Sequence, residues 1–368
     1  MLTKADDYPI HQRPEPIAYA GGHRNFYDRY FFNGYAQDGE LFFAAALGVY
    51  PALNVMDAAF SVIHDGRQHN VYASRVLNME RLDTRVGPIE VDVIEPMRVL
   101  RVRVDDKASG LVADVRFNAR VEAMEEPRFT RRSGAQLAMD LTRLTQNGTY
   151  EGSITAKGKR FEIRPDVHSG TRDRSWGIRG IGARDPQPNP LAEAPQFYWL
   201  WAPLNFPNRA AFYHLNSDAD GEPWNTRGVL SPLLGRGAAI EADEATSVLA
   251  FKSGTRHASK ARIDYVRKGT KLATAELTPL YHFYMKGIGY GHPKWSHGLF
   301  HGELEVGHDE ITLADAAPSD PSNLHIQAIC KAKLESNDGN ESGIGVLEQM
   351  IIGPHKPSGF KAMLDMAP

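Results

Sequence analysis

The segment from His168 to Gly177 (HSGTRDRSWG) concentrates side chains that can do chemistry: two arginines, a carboxylate, an imidazole and an indole. Burying Asp173 as an anion would cost several kcal/mol unless a cation or hydrogen bonds compensated it. Arg172 and Arg174 flank Asp173 and could set its ionisation or orient a substrate oxygen. A carboxyl group tuned in this way suits general acid–base catalysis, whereas the structural alternative is an ion pair that only pins a turn.

A second polar segment runs from Tyr281 to Glu303 and holds four of the 14 histidines. If it is a strand, His297 and His301 share one face, and a tight bend after Gly291 brings His292 beside them. A zinc or iron site is then conceivable. The segment has no helical His-x-x-x-His motif with its general base, and histidine ligands usually come with a carboxylate or cysteine at defined spacing. We therefore predict neither a metal nor a cofactor.

Composition excludes several classes of function. The chain has 368 residues and a formal net charge of -3, so no basic excess favours nucleic acid or an anionic membrane surface. One cysteine, Cys330, excludes an intramolecular disulfide. No apolar run approaches the roughly 18 residues of a membrane-spanning helix. Nucleotide-binding glycine motifs and the Gly-x-Ser-x-Gly nucleophile elbow do not occur. We expect a cytoplasmic protein without a membrane span, and a homodimer is compatible with the sequence.

Alternating apolar residues predict β-structure through most of the chain. From Leu111 to Val121 the odd-numbered residues are all apolar, and most residues between them are polar or charged. Turn pairs at Asp38-Gly39, Asp65-Gly66 and Asn147-Gly148 separate neighbouring segments. Further strands are expected over 27–35, 41–49, 71–76, 89–93, 99–104, 150–156, 197–201, 211–215, 247–252, 261–266, 273–277 and 345–352. This pattern predicts antiparallel sheets that close into barrels or sandwiches, with few short helices.

The length favours two domains. Three prolines between Ala183 and Pro190 deny backbone donors and mark a connector. We predict an N-terminal β domain over residues 1–182, a linker over 183–195 and a C-terminal β domain over 196–368. The aromatic segment Phe197–Trp201 is expected to seal the junction between them.

The motifs carry a resemblance to a known family. Gly170-x-x-Asp173-x-x-Trp176-Gly177, preceded by Gln146-Asn-Gly-Thr-Tyr-Glu-Gly152, resembles the hallmark of the carotenoid 1,2-hydratase-like (hydroxyneurosporene synthase-like) family. The chain is still more similar to uncharacterised bacterial relatives, which carry the blocks found here at Arg172–Gly177 and Gly289–Gly298. The resemblance implies an all-β fold of two lipocalin-like antiparallel domains.

In the hydratases that the chain resembles, the aspartate of this motif is proposed to protonate an isoprenoid double bond so that water can add. The matching residue is Asp173. Thr171 stands where a hydratase has a tyrosine, and His168 replaces a glycine of the pattern. What the resemblance implies is therefore a class of site: a carboxyl group that faces histidines and tyrosines of the second domain in an apolar cavity.

The sequence thus predicts a cofactor-independent lyase, hydratase or isomerase acting on a hydrophobic small molecule that is terpenoid, steroid-like or aromatic, with retro-aldol cleavage among the options. Asp173, His292, His297 and Tyr290 are the expected catalytic residues. The expected substrate-binding residues are Arg172, Arg174, Trp176, His168, Trp295, Tyr284 and Tyr150. The alternative is a non-catalytic carrier or sensor whose cavity is uniformly apolar, and an interaction module ranks last.

Overall fold

Antiparallel β-strands form nearly all of the regular structure in the computed structural model, which describes residues 1–184 and 196–368. The described residues contain no α-helix, only short 3-10 turns. These lie at Lys4–Asp7, Ile17–Tyr19, Pro51–Leu53, Met285–Ile288, Leu313–Asp315, Pro321–Asn323 and Lys356–Ser358. The predicted all-β class of two lipocalin-like antiparallel domains with few short helices is confirmed.

The first 13 strands belong to one sheet. They are β1 (Phe26–Ala36), β2 (Phe42–Tyr50), β3 (Val55–His64), β4 (Arg67–Val76), β5 (Arg85–Val86), β6 (Ile89–Glu95), β7 (Val99–Asp106), β8 (Leu111–Ala119), β9 (Met124–Glu125), β10 (Phe129–Ser133), β11 (Gln136–Ala156), β12 (Lys159–Ile163) and β13 (His168–Ile178).

The remaining ten strands lie between residues 197 and 352 of the sequence. They are β14 (Phe197–Asn205), β15 (Arg209–Ser217), β16 (Pro223–Pro232), β17 (Ile240–Glu241), β18 (Glu244–Phe251), β19 (Ala258–Arg267), β20 (Thr270–Tyr284), β21 (Leu304–Thr312), β22 (Ile326–Ser336) and β23 (Gly339–Ile352).

The first sheet has the order β21-β4-β3-β2-β1-β13-β11-β8-β7-β6-β5. Strands β9, β10 and β12 pair with the long β11. The sheet curls so that its last strand returns toward β4, where Arg75 donates from Nε to the carbonyl of Arg85 at 2.7 Å. The other edge of the first sheet is β21, which comes from the second half of the chain. All nine residues of β21 pair with β4.

The second sheet has the order β17-β16-β15-β14-β23-β22-β20-β19-β18. The short β17 pairs with β16 and lies just before β18 in the sequence. Between them the amide of Ala242 donates to Gly228 of β16, and the amide of Asp243 donates to Val266 of β19. The chain therefore bridges the two edges of this sheet and closes it.

Each sheet encloses its own core, and a third core joins them. Alternation along β1 explains how this is possible, because Phe32 points into the first sheet's interior and Phe31 points toward the second. Phe31 meets Trp201 with ring centroids 6.2 Å apart, and Phe42 meets Phe283 at 4.9 Å. Trp199 and Trp201, from the aromatic segment that is expected to seal the domain junction, belong to this third core.

The same alternation on β13 divides the Arg/Asp/Trp motif between two faces. Asp173 pairs with Phe31 of β1 and so shares the face toward the second sheet. Arg172 pairs with Phe32, and Arg174 with Tyr30, on the face toward the first interior. The segment is therefore a central strand rather than a turn between two barrels.

Two sequence-based expectations are wrong. Asn147-Gly148 is not a turn but lies inside β11, where a side chain at Gly148 would come within 2.5 Å of the Phe117 ring and the Asn118 carbonyl oxygen. Glycine is therefore required there by the close approach of β8 rather than by a turn. Residues 289–303 are not a strand but a succession of turns, so His297 and His301 share no strand face.

The predicted domain boundaries stay a prediction. Most of the predicted linker, residues 185–195, lies outside the described residues. Strand β21 comes from the predicted C-terminal domain but completes the sheet of the first half. Among the residues that the structure describes, no helix has the length and apolar character to cross a membrane.

Candidate active site

A cavity of about 560 Å³ lies where the two sheets meet. Its apolar side is formed by residues of β10, β11, β14 and β23, namely Phe129, Met139, Leu141, Phe197, Met350 and Ile352. Its polar side is formed by Tyr27, Arg143, Asp173, Ser175, Arg179, Trp199, Tyr290, His325 and Glu348. Ala138 and Gly180 are exposed, so the cavity opens to solvent beside them.

Asp173 is the acidic group whose ionisation is most strongly altered in this cavity. Its side chain projects from the middle of β13 and is buried. Burial raises the pKa of Asp173 to about 7, although Arg143 opposes the shift, and the negative charges of Glu126 and Glu348 add to it. Asp173 can therefore hold a proton near neutral pH, where an ordinary aspartate is ionised.

Arg143 is the cation nearest to Asp173, but Glu126 holds it. Its Nη1 lies 3.9 Å from Oδ2 of Asp173, beyond hydrogen-bond reach, whereas its Nε donates to Oε2 of Glu126 at 2.9 Å. Glu126 is buried and also accepts from Thr145 and from the indole of Trp201. This network keeps Arg143 from forming a close pair with Asp173, so Asp173 retains its elevated pKa.

Glu348 is the second carboxyl group of the cavity and is held in the opposite state. His325 donates from Nε2 to its Oε1 at 2.7 Å, Gln327 donates to Oε2 at 2.8 Å and Trp199 donates to Oε1 at 3.1 Å. Burial alone would raise the pKa of Glu348, but the charge and hydrogen bonds of these neighbours outweigh it, and the pKa is lowered. Glu348 is therefore ionised at neutral pH.

A third group of polar residues closes the cavity at the 3-10 turn Met285–Ile288. The guanidinium of Arg179 lies 4.4 Å from the ring centroid of Tyr27 and 5.3 Å from that of Tyr290. Its Nη2 donates to Nδ1 of His297 at 3.1 Å, and Nε2 of His297 donates to the carbonyl of Ile288 at 2.9 Å. Burial, together with the charges of Arg29 and Arg179, keeps the pKa of His297 well below its usual value, so this imidazole is neutral.

Three of the four predicted catalytic residues lie at or beside this cavity. Asp173 and Tyr290 line it. His297 stands behind Tyr290, with ring centroids 4.4 Å apart. His292 lies elsewhere: its Nε2 donates to Asp309 at 3.0 Å, and its Nδ1 accepts from two backbone amides of its own loop. Both ring nitrogens of His292 are thus engaged, Nε2 with β21 and Nδ1 within its own loop.

The residues predicted to bind substrate from the second motif are packing residues outside the cavity lining. Trp295 stacks on Tyr72 with ring centroids 5.6 Å apart and covers Gly307 of β21. Tyr284 belongs to the core of the second sheet, and its backbone exchanges two hydrogen bonds with Gln68.

The residues predicted from the first motif, apart from Asp173, also point away from the cavity. Arg172 donates to Gln146 at 2.8 Å inside the first sheet, and Arg174 pairs with Asp28. The assignment of Arg172 as the group that sets the ionisation of Asp173 is corrected, because β-strand alternation carries it to the opposite face and Arg143 takes that place. The others are a partly exposed Trp176, His168 hydrogen-bonded to the Arg164 backbone, and Tyr150 in the first core.

Sequence reasoning missed Arg143, Glu126, Glu348, His325 and Arg179. Each is a single charged or polar residue in an otherwise ordinary segment, so residue type alone gave no signal. Among residues 1–184 and 196–368, no group of three or more His, Cys, Asp or Glu side chains is placed to hold a metal ion.

Two antiparallel β domains around a shared cavity define a two-domain lipocalin-like protein, and solved structures share this fold. A Nitrosomonas europaea protein described as AttH-like matches with a TM-score of 0.52 and 12% identity, covering 93% of this chain and 98% of that one. Kievitone hydratase from Nectria haematococca gives 0.52 and 11%, covering 95% and 96%. CghA gives 0.51 and 10%, covering 89% and 88%, and was also solved with Sch210972.

The chain belongs to the Family of unknown function (DUF8625), whose model matches residues 2–361. No curated protein matches the sequence. At these low identities the likeness to solved structures concerns the fold, so the resemblance to carotenoid 1,2-hydratase-like proteins is supported at that level.

Proposed function

We propose that the protein is a cofactor-independent hydratase, or the corresponding dehydrating lyase, that acts on a small molecule with an apolar body. The observation that carries this proposal is the opposite protonation of two buried carboxyl groups in one cavity. Asp173 has a pKa raised to about 7, and Glu348 has a lowered pKa. Pairs of this kind supply an acid and a base at the same pH.

The reaction needs one proton donor and one proton acceptor. Protonated Asp173 donates to one carbon of a substrate double bond, which leaves a carbocation at the other carbon. Water adds to that carbon and loses a proton to Glu348, either directly or through His325 at 2.7 Å. Transfer of this proton through solvent restores Asp173. Elimination of water follows the same steps in reverse.

The aromatic side chains support a cationic intermediate. The Arg143 guanidinium lies 4.7 Å from the ring centroid of Trp199, and the Arg179 guanidinium lies 4.4 Å from that of Tyr27. Both rings therefore already face positive charge. The name of one protein with the same fold, kievitone hydratase, is consistent with this chemistry. A carrier would favour a uniformly apolar wall, whereas Asp173, Arg143 and Glu348 all face this cavity.

The first experiment identifies the ligand by mass spectrometry of small molecules retained through purification. Turnover of the identified compound, or of its dehydrated form, is then followed in D₂O, where hydration places deuterium on carbon. Asp173→Asn should lower kcat by at least about 100-fold, which is the usual contribution of a general acid.

Asp28→Asn is the matched control, because Asp28 makes an ion pair with Arg174 on the other face of the same sheet. This variant should retain turnover. Full turnover by a folded Asp173→Asn protein would remove Asp173 from the chemistry and end the proposal.

A further inference from the structure

Arg179 is a cation at the cavity that lacks a carboxylate partner. Among the described residues, no carboxylate oxygen lies within 4.0 Å of its guanidinium, and its Nε is buried without a hydrogen-bond acceptor. Its contacts are His297 at 3.1 Å, the Tyr290 hydroxyl at 3.4 Å and the Tyr27 ring. Burial raises the pKa of Tyr27 and lowers that of His297, so neither of these two groups supplies a negative charge to the guanidinium.

Two other arginines of this region, Arg143 and Arg174, do have a carboxylate partner. Arg143 is paired with Glu126 at 2.9 Å, and Arg174 is paired with Asp28. Asp57 acts on Arg179 only through space, and burial raises the pKa of Asp57 to about 6, which weakens its compensation at slightly acidic pH. A poorly solvated cation without a counter-ion is unfavourable unless something else supplies the negative charge.

Arg29 adds to the positive potential at the same place. Arg29 is buried, its guanidinium lies 4.8 Å from the centroid of the Tyr290 ring, and its Nε and Nη1 have no hydrogen-bond acceptor. Its single hydrogen bond goes from Nη2 to the Ile288 carbonyl at 2.9 Å. Two guanidinium groups therefore converge on Tyr290, and no carboxylate oxygen of the described residues lies within 4.0 Å of either. Asp57 acts on both of them only through space.

We propose that Arg179 binds the anionic group of an organic acid whose apolar body lies against Phe129, Met139, Leu141, Phe197 and Met350. This inference rests on the proposed function in taking the cavity as the substrate site. It narrows the substrate class from any hydrophobic molecule to an amphipathic one that carries a carboxylate or another acidic oxygen. Arg179 provides planar, charge-assisted donors for such a group, and the neutral His297 fixes the orientation of the guanidinium.

The test compares two fluorescent probes with the same ring skeleton. 8-Anilino-1-naphthalenesulfonate carries an anionic group, and N-phenyl-1-naphthylamine lacks it. Arg179→Gln should weaken binding of the sulfonate by about tenfold or more, because one charged contact is lost, and leave the neutral probe within about twofold. Arg116→Gln is the control, because Arg116 is an exposed arginine of β8 that lies outside this cavity. It should change the affinity of both probes by less than about threefold.

The unsubstituted protein provides a second readout that requires no variant. Displacement of N-phenyl-1-naphthylamine should need about tenfold less 1-naphthoate than 1-naphthamide, which is similar in shape but uncharged. Equal potency of these two competitors would overturn the proposal. So would an Arg179→Gln protein that keeps its affinity for the sulfonate or loses both probes equally.

Failure of this inference is distinguishable from failure of the proposed reaction. Asp173→Asn removes the proposed acid but leaves Arg179 in place, so it should keep the preference for the sulfonate. A fully active Asp173→Asn protein that retains this preference would refute the reaction alone. If the Asp173→Asn protein is inactive and the Arg179→Gln protein binds both probes as the unsubstituted protein does, the anion site alone is refuted.

Discussion

Asp173→Asn should make the folded protein more stable at alkaline pH, even though it removes the proposed acid. An unfolded aspartate ionises with a pKa of 3.8, whereas burial raises the pKa of Asp173 to about 7 in the folded state. Between these values the folded state binds more protons than the unfolded state, so the free energy of unfolding falls as the pH rises. The full penalty is about 4 kcal/mol, from about three pKa units at 1.36 kcal/mol each.

Asparagine does not titrate, so the substitution removes this penalty. Between pH 5 and pH 8 the free energy of unfolding of Asp173→Asn, measured relative to the unsubstituted protein, should increase by roughly 3 kcal/mol. Urea titrations at both pH values measure this difference, and taking it between two pH values cancels the change in packing that asparagine introduces. Asp28→Asn is the control, and it should show no comparable increase.

A relative stability of Asp173→Asn that stays constant from pH 5 to pH 8 would refute the reasoning. That result would mean that Asp173 ionises in the fold as it does in water. The assignment of Asp173 as a proton donor at neutral pH would then lose its physical basis.

Three further predictions concern neighbouring residues. Glu126→Gln should release Arg143 toward Asp173. Closing the distance between Nη1 of Arg143 and Oδ2 of Asp173 from 3.9 Å to about 2.9 Å strengthens their attraction by about 1.5 kcal/mol at an effective dielectric constant near 20. This lowers the pKa of Asp173, so the alkaline limb of the pH–rate profile should move down by about one pH unit. An unmoved limb would contradict the Glu126 network. Glu348→Gln should lower kcat by about 100-fold or more at every pH, measured with the same substrate, whereas unchanged kcat would exclude it as the base. Gly148→Ala should lower the free energy of unfolding by at least about 2 kcal/mol, because the added methyl group would meet β8. Gly22→Ala, with open space around it, should have little effect in the same urea titration. Equal effects of the two substitutions would contradict the close approach of β8 to Gly148.

The fold could be predicted from the sequence because alternation is a local property. A strand such as Leu111–Ala119 shows its buried face in the spacing of its own residues. Strand β13 escaped this reasoning because it is polar on both faces: Asp173 faces the cavity, while Arg172 and Arg174 find partners inside the first sheet. A strand whose two faces are both polar gives no period-two signal and looks like a turn.

The candidate site could be predicted only in part, for a related reason. Asp173 and Tyr290 stood out because they lie in dense runs of polar and aromatic residues. Glu348 and Arg143 each occupy one position of a strand, and they meet Asp173 only because β11, β13 and β23 converge in space. His292 shows the opposite error, because a histidine in a dense cluster uses one ring nitrogen to bond Asp309 and the other to bond the backbone of its own loop.

Strand β21 has a practical consequence for any attempt to divide this chain. Because Leu304–Thr312 supplies the outer ribbon of the first sheet, a fragment ending near residue 182 would expose the whole edge of β4 to other molecules. During synthesis the same edge of β4 stays unpaired until the ribosome has passed Thr312. Throughout this interval a chaperone could protect the edge from aggregation. Split reporters, fusions and circular permutants of this protein therefore need to carry that ribbon with the first half.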